Sequence, residues 1–312
     1  MTNKVSDFKS MQDELQAALD ILDEYQQESP EDQAGLVISE ADSLLARCEQ
    51  VVKQHEENSN PKMRVVHHFA CSGGTLISKC IAALPNVYLL SEAHANSELA
   101  LRDYAEFSPT DLVRLAKYAH IPEIKKLSEH IFKNTISTIN NHLTGMGSYL
   151  VIRYHTHSDY CTSKPVVEEN VFESQFCSKY NVLSLLTIRN PIDAYASLKK
   201  NGWIHFTPGD FDSYCERYLK HLSHFRDSNI VRYEDFVESP EMVIKIICNV
   251  LELPYSDSFI DTFSINKLTG DSGRKSDVIS TRERSADDSL MDEASNSSNF
   301  NRICKLGWYE SI

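Results

Sequence analysis

Between Asn181 and Ile188 the chain reads NVLSLLTI, apolar at almost every position. A strand with one wet face alternates polar and apolar side chains. One without alternation is covered on both faces, the condition of a parallel sheet wrapped by helices. The flanking sequence repeats the theme. Arg64–Phe69, Val87–Leu90, Tyr149–Tyr154 and Asn229–Arg232 read as further strands. Residues 74–84, 109–143 (broken near Ile121-Pro122), 166–178, 191–200, 210–224 and Pro240–Leu251 read as helices. Strands alternating with helices predict an α/β fold with a central parallel sheet covered on both faces. Residues 269–299, rich in Ser, Asp, Asn and Arg, are expected to form a long surface loop with one short helix.

Residues 1–60 follow a different pattern. Phe8, Met11, Leu15, Ala18, Leu22 and Tyr25 lie three and four apart, and after Ser29-Pro30 the spacing resumes at Val37, Ala41, Leu44, Cys48 and Val51. This predicts an N-terminal helical hairpin over 1–60 and an α/β domain over 61–312. Two helices have too little core to stand alone. The hairpin is expected to pack on the main body or to act as a homodimer or partner-docking arm.

The 312 residues carry 45 acidic against 31 basic side chains, a formal charge of −14, of which −10 falls in residues 1–60 (14 acidic, 4 basic). That sign disfavours a generic nucleic-acid or anionic-membrane binder, yet leaves the α/β domain free to gather positive charge in one cleft. The eight cysteines form no CxxC and no zinc spacing, and MTNKVSDFKS has no apolar leader. A reducing cytoplasm is the expected compartment, with no membrane span.

In such folds ligands sit beyond the carboxyl ends of the strands. After the first strand comes Ala70-Cys71-Ser72-Gly73-Gly74-Thr75 and then a helix. Glycines let backbone wrap an anion, and the unpaired amides at the helix start donate to it. A plain helix-capping turn would have the same appearance. The GK[ST] of a nucleoside-triphosphate loop is missing, and Lys79 lies a full turn further on, which argues against a metal-dependent kinase or ATPase. The strand ending at Ile188 runs into Arg189-Asn190-Pro191, with Ser197 on the next helix. An arginine closing an apolar strand is placed to fork onto a phosphate, or else to cap the helix.

With these residues in hand, the chain resembles the sulfotransferases that use 3′-phosphoadenosine 5′-phosphosulfate (PAPS). The strand–SGGT–helix of residues 64–84 is similar to that family's 5′-phosphosulfate loop, and Arg189 with Ser197 to its 3′-phosphate motif. Val231-Arg232-Tyr233-Glu234-Asp235-Phe236, followed by Ser239-Pro240 and a helix to Leu253-Pro254, is similar to its RYEDL…P…LGLP segment. The resemblance spans roughly residues 62–275. It implies a P-loop NTPase-like three-layer fold and metal-free sulfuryl transfer from PAPS to a hydroxyl or amine of a small-molecule or carbohydrate acceptor. It implies that Cys71, Ser72, Gly73, Gly74 and Thr75 border the phosphosulfate, that Arg189 and Ser197 hold the 3′-phosphate, and that Tyr233 lies by the nucleotide. Gly270–Lys275, with Arg274, resembles the late loop that closes over the 3′-phosphate. One departure stands out. Many members carry Lys or Arg immediately before the Ser-Gly, where this chain has Cys71. Lys79, Arg153, His155 and His157 are the candidates to supply the missing cation.

Two segments offer acid–base groups. Glu92 follows the second strand, where several carbohydrate- and tyrosine-modifying members have a catalytic Glu. Arg153-Tyr154-His155-Thr156-His157 follows the third, where cytosolic small-molecule members have Lys-Thr-His, so Thr156-His157 matches and His155 takes the lysine's place. The expectation is that His157 or Glu92 takes the acceptor proton while His155 with Arg153 stabilises the sulfuryl oxygens. The HxH spacing also suits a metal, but no third ligand is evident in the sequence. Trp203, His205, Phe206, Tyr214 and Tyr218 could line an acceptor cleft, though a helical-pair core suits them better. The competing functions are an ATP-using P-loop kinase and a catalytically silent nucleotide-binding or scaffold protein of the same fold.

Overall fold

The computed structural model describes residues 61–97, 111–226, 229–268, 278–280 and 286–311. The expected hairpin over 1–60 and the Arg274 loop lie outside the described residues.

In chain order the elements are β1 (Lys62–His68), α1 (Gly74–Ala82), β2 (Val87–Ala93), α2 (Leu112–Tyr118), α3 (Ile124–Thr144), β3 (Tyr149–Tyr154), α4 (His157–Tyr160), α5 (Val171–Phe176), β4 (Asn181–Ile188), α6 (Pro191–Asn201), α7 (Phe211–Leu222), β5 (Ile230–Arg232), α8 (Tyr233–Glu238), α9 (Pro240–Leu251), α10 (Phe259–Thr262), α11 (Asp288–Asn296) and α12 (Ser298–Lys305). All strand pairings are parallel, in the order β2-β3-β1-β4-β5. The chain steps outward from β1 to the edge strand β2, returns to β3, then crosses β1 to reach β4. The topological switch point therefore falls at β1, where a ligand crevice is expected.

Period-two burial fixes the layers. On β1, Val66 joins a core with Ile77, Ile81, Ile244, Ile247 and Phe236 from α1, α9 and α8. Its neighbours Met63 and Val65 point the other way, against Ile136, Leu143, Phe172 and Phe176 of α3 and α5. Alternate side chains of one strand thus feed cores on opposite faces, the α/β architecture the uninterrupted apolar run implied. A third cluster, with Tyr195, Phe211, Tyr214, Phe300 and Ile303, joins α6, α7 and α12 beside β4. Phe206, Tyr214 and Tyr218 are at most 4% exposed within it and serve as core.

Two expectations need correction. Residues 269–299 were expected as loop with one short helix. Asp288–Asn296 is helical, and a second helix starts at Ser298. Leu290, Ala294, Phe300 and Ile303 supply a buried stripe that anchors both helices, while the Ser297 hydroxyl accepts the Phe300 amide as an N-cap. The second strand was expected to stop at Leu90. It continues to Ala93 through a bulge between Ser91 and Ala93, because its last residues pair with Arg153 and Tyr154. Among the described residues no helix is long and apolar enough to cross a membrane.

Candidate active site

The loop after β1 is a tight backbone turn. Cys71 and Gly73 both have positive φ (67° and 83°). The Ser72 amide and hydroxyl both donate to the Phe69 carbonyl, at 3.2 and 2.8 Å, which pulls the turn closed. The Gly73 carbonyl then receives the amides of Leu76 and Ile77 and starts α1. Among the described residues the amides of Gly73, Gly74 and Thr75 have no backbone acceptor, as befits a helix start open to an anion. Both glycines are required by space. A Cβ on Gly73 would lie 2.1 Å from Tyr233 Cδ2, and one on Gly74 would lie 2.4 Å from His68 Cδ2. The aromatic ring of α8 and the imidazole closing β1 thus press on the turn from two sides.

Arg189, at the end of β4, stands beside this turn. Its Nη1 donates to the Cys71 carbonyl at 3.1 Å, and its guanidinium carbon lies 5.2 Å from the centre of the Tyr233 ring. Tyr218 donates to the Arg189 carbonyl at 3.0 Å. Glu234 accepts the Asn190 amide at 2.8 Å, and burial raises its carboxyl above the usual range. Asn190 in turn caps α6 by accepting the Ile192 amide. Strand end, helix start and α8 therefore lock the arginine against the loop. Ser197 is half-buried on α6, one turn before Asn201, whose side-chain amide lies 3.6 Å from Cys71 Sγ. Residues four apart share a helix face, so Ser197 faces the same way as Asn201.

On the β2–β3 side the site is made of ionisable side chains. Glu92 has φ 59°, an uncommon conformation for a residue with a Cβ, set up by the bulge that ends β2. Its Oε1 pairs with Arg153 Nη2 at 2.8 Å, and its Oε2 lies 3.5 Å from His155 Nε2. Burial pushes the Glu92 carboxyl up while Arg153 opposes it. The His155 Nδ1 meets the Ser158 hydroxyl at 2.8 Å, so a tautomer protonated on Nε2 satisfies both contacts. Burial lowers His155 to about 4, so its ring is neutral at neutral pH.

His157 lies elsewhere. It opens α4, is 3% exposed, and packs 5.8 Å from the His205 ring and 6.4 Å from the His155 ring. Neither of its ring nitrogens has a hydrogen-bond partner of good geometry, although the nearby Trp203 backbone favours its proton. Burial holds it near 3. The geometry therefore brings Glu92, Arg153 and His155 together and sets His157 one ring further off.

Several participants gave little signal in the sequence. His68 accepts from Arg153, and Ser91 binds the same guanidinium. His94 receives the Asn96 amide on Nδ1, which leaves Nε2 to donate to Asp159 at 3.0 Å, while its ring stacks on Tyr154. The logic that singled out Arg189, a charged residue closing an apolar strand, applies equally to Arg153 in YLVIRY. Among the described residues no group of three or more His, Cys, Asp and Glu is arranged to hold a metal.

An amide-lined turn at the switch point, an arginine locked to it and a buried acid–base cluster two strands away define an α/β protein with a candidate anion-transfer site. No family model matches the chain, and no curated protein matches it. Among solved structures it is similar to the sulfotransferase domain from the curacin biosynthetic pathway (16% identity, 81% of this chain and 100% of that one, TM-score 0.49). It is also similar to the sulfotransferase domain of the Synechococcus PCC 7002 olefin synthase (16%, 82% and 98%, TM-score 0.49). A third likeness is to a sulfotransferase from Alicyclobacillus acidocaldarius (13%, 78% and 95%, TM-score 0.42).

Proposed function

We propose that the chain transfers a sulfuryl group from PAPS to a hydroxyl or amine of a small-molecule or carbohydrate acceptor. One observation carries most of the weight: Arg153 joins Thr75 of the amide-lined loop to Glu92, so a carboxylate base stands one side chain away from the turn suited to an anion. The amides of Gly73, Gly74 and Thr75, without a backbone acceptor among the described residues, and the lack of room for a Cβ on either glycine suit a phosphosulfate. Arg189 and Ser197 would take the 3′-phosphate, Tyr233 would lie by the nucleotide, and Arg274 would close over it. A ligand anionic at both ends fits this arrangement better than ATP, because no lysine follows Gly74.

In the reaction Glu92 would accept the acceptor proton as the acceptor oxygen attacks sulfur, while the loop amides hold the departing phosphate. A positioned base contributes roughly 10²–10⁴-fold. His155, neutral and facing Glu92, would orient that carboxylate. His157, enclosed near His205, is the competing base. Calorimetry with adenosine 3′,5′-bisphosphate and with ATP plus Mg²⁺ tests the donor. Binding of the first alone supports the proposal, and binding of the second alone points to a kinase. A PAPS-dependent screen over sugars, phenols, amines and lipids then identifies the acceptor. A bisphosphate binder inert toward every acceptor would be a silent nucleotide-binding protein.

A further inference from the structure

Arg153 is a side chain that the proposed chemistry needs for more than charge. It closes β3, is 3% exposed, and among the described residues its guanidinium contacts three other elements. Nε and Nη2 reach His68 Nε2 on β1 at 3.1 and 2.9 Å. Nη1 reaches Ser91 Oγ on β2 at 2.9 Å. Nη2 also reaches Thr75 Oγ1 at the start of α1 at 2.9 Å and Glu92 Oε1 at 2.8 Å. Two consequences follow from donor and acceptor rules alone. A guanidinium has no acceptor, so Thr75 Oγ1 accepts and its own proton is left for another acceptor. His68 Nε2 likewise accepts, so that ring is neutral with its proton on Nδ1. Position 71, a cysteine, brings no cation to the loop.

We propose that Arg153 is a positioning residue that couples the two halves of the site, fixing Thr75 as a hydroxyl donor to the donor-substrate anion and Glu92 as the ionised base. The proposal rests on the sulfuryl-transfer function above. During transfer the acceptor's O–H proton moves to Glu92, and the acceptor oxygen's electron pair forms the new O–S bond. The S–O bond to the 5′-phosphate breaks, its electron pair leaving on adenosine 3′,5′-bisphosphate. Arg153 keeps its protons throughout. Once Glu92 is neutral it no longer offsets the guanidinium charge, which acts through the Thr75 hydroxyl on the phosphate that has just gained charge. The basic function missing at position 71 is thereby supplied from β3.

Among the described residues the groups facing Glu92 are Arg153 from β3, His155 beyond it and His68 from β1, whose Nε2 lies 3.9 Å away. The test compares wild type with Arg153→Lys, Arg153→Gln, Glu92→Gln and the double variant Glu92→Gln/Arg153→Gln, which removes both buried charges together. The first readout is a carbon-13 NMR titration of the Glu92 carboxyl, identified by its loss in Glu92→Gln. The carboxyl should titrate at least one pH unit higher in Arg153→Gln than in wild type, with Arg153→Lys between them. An unmoved titration in a folded Arg153→Gln variant overturns the proposal without reference to turnover. The second readout is single-turnover transfer from PAPS. Arg153→Gln and Glu92→Gln should each slow it about 100-fold, and the double variant should be no slower than Glu92→Gln alone. Losses that multiply in the double variant overturn the coupling. Thr75→Val should weaken bisphosphate binding about tenfold while Thr75→Ser retains it; equal affinity in the two overturns the hydroxyl's role. A wild-type protein that binds no bisphosphate defeats the sulfuryl-transfer function instead, and the NMR titration still decides the Arg153–Glu92 coupling.

Discussion

The two sides of the β1 switch point are built from different materials. Toward β4, the turn at residues 70–75 is shaped by backbone, two crowded glycines, an aromatic ring and one arginine that donates to the Cys71 carbonyl while its own carbonyl accepts from Tyr218. Toward β2, the same crevice is walled by a buried ion pair and a run of enclosed imidazoles. The first arrangement suits tight, pH-indifferent holding of an anion, since an arginine stays charged at every working pH. The second suits proton movement, since burial there has displaced the titration of Glu92, His68, His155 and His157. Under the proposed function, holding and chemistry would fall on opposite sides of one strand.

The broadest consequence concerns acid. Burial depresses His67 and His157 to about 3, His155 to about 4, and His68 and His221 well below the usual imidazole range. Each stays neutral in the folded chain but takes up a proton near pH 6.5 when unfolded. Its contribution to stability is complete above about pH 6.5 and is lost as the pH falls toward the folded value, at up to about 1.4 kcal/mol per pH unit per histidine. Glu92 and Glu234, raised by burial, act in the opposite sense but are fewer. Urea midpoints measured from pH 7 to pH 5 should fall steeply, and His67→Phe should flatten the slope. A flat profile would mean these rings are wet.

Next in size is the contrast between the two sides. Glu92→Gln should cut single-turnover transfer by about 10²–10⁴-fold while leaving bisphosphate affinity within a factor of about two. His157→Ala should slow it less than about tenfold. If His157→Ala is the slower of the two, proton transfer lies with the enclosed histidine.

The loop side should respond in affinity and stability. Gly73→Ala forces a methyl onto Tyr233 at a φ of 83° and should cost on the order of 3 kcal/mol in stability along with most bisphosphate binding. Arg189→Met should weaken the bisphosphate about 10–100-fold with no change in the pH dependence of transfer. The smallest effect is expected at Ser197→Ala, a few-fold loss of affinity read by calorimetry, in keeping with one neutral hydroxyl. Equal losses for Arg189→Met and Ser197→Ala would dissolve the distinction between the arginine and its helix.

Local chemistry determined a good part of this molecule. The short apolar runs at 149–154 and 181–188 read as strands, and Pro191 and Pro240 suit helix starts, because length, flanking residues and the fixed proline φ act within a few residues. The loop at Ser72–Thr75 and the arginine at 189 were legible for the same reason: glycines before a helix and a cation closing an apolar strand are local signals. What the linear pattern did not contain was which distant groups meet. His68, Ser91, Glu92 and Thr75 converge on Arg153 only because β1 lies between β3 and β4 and β2 flanks β3, a strand order that sequence neighbours do not encode. His155 and His157 lie two residues apart, and the sequence expectation offered His157 for the proton and His155 for the sulfuryl oxygens. The short helix at 157–160 turns one into the core and leaves the other facing Glu92, and burial, a property of the packed chain alone, then sets their charge.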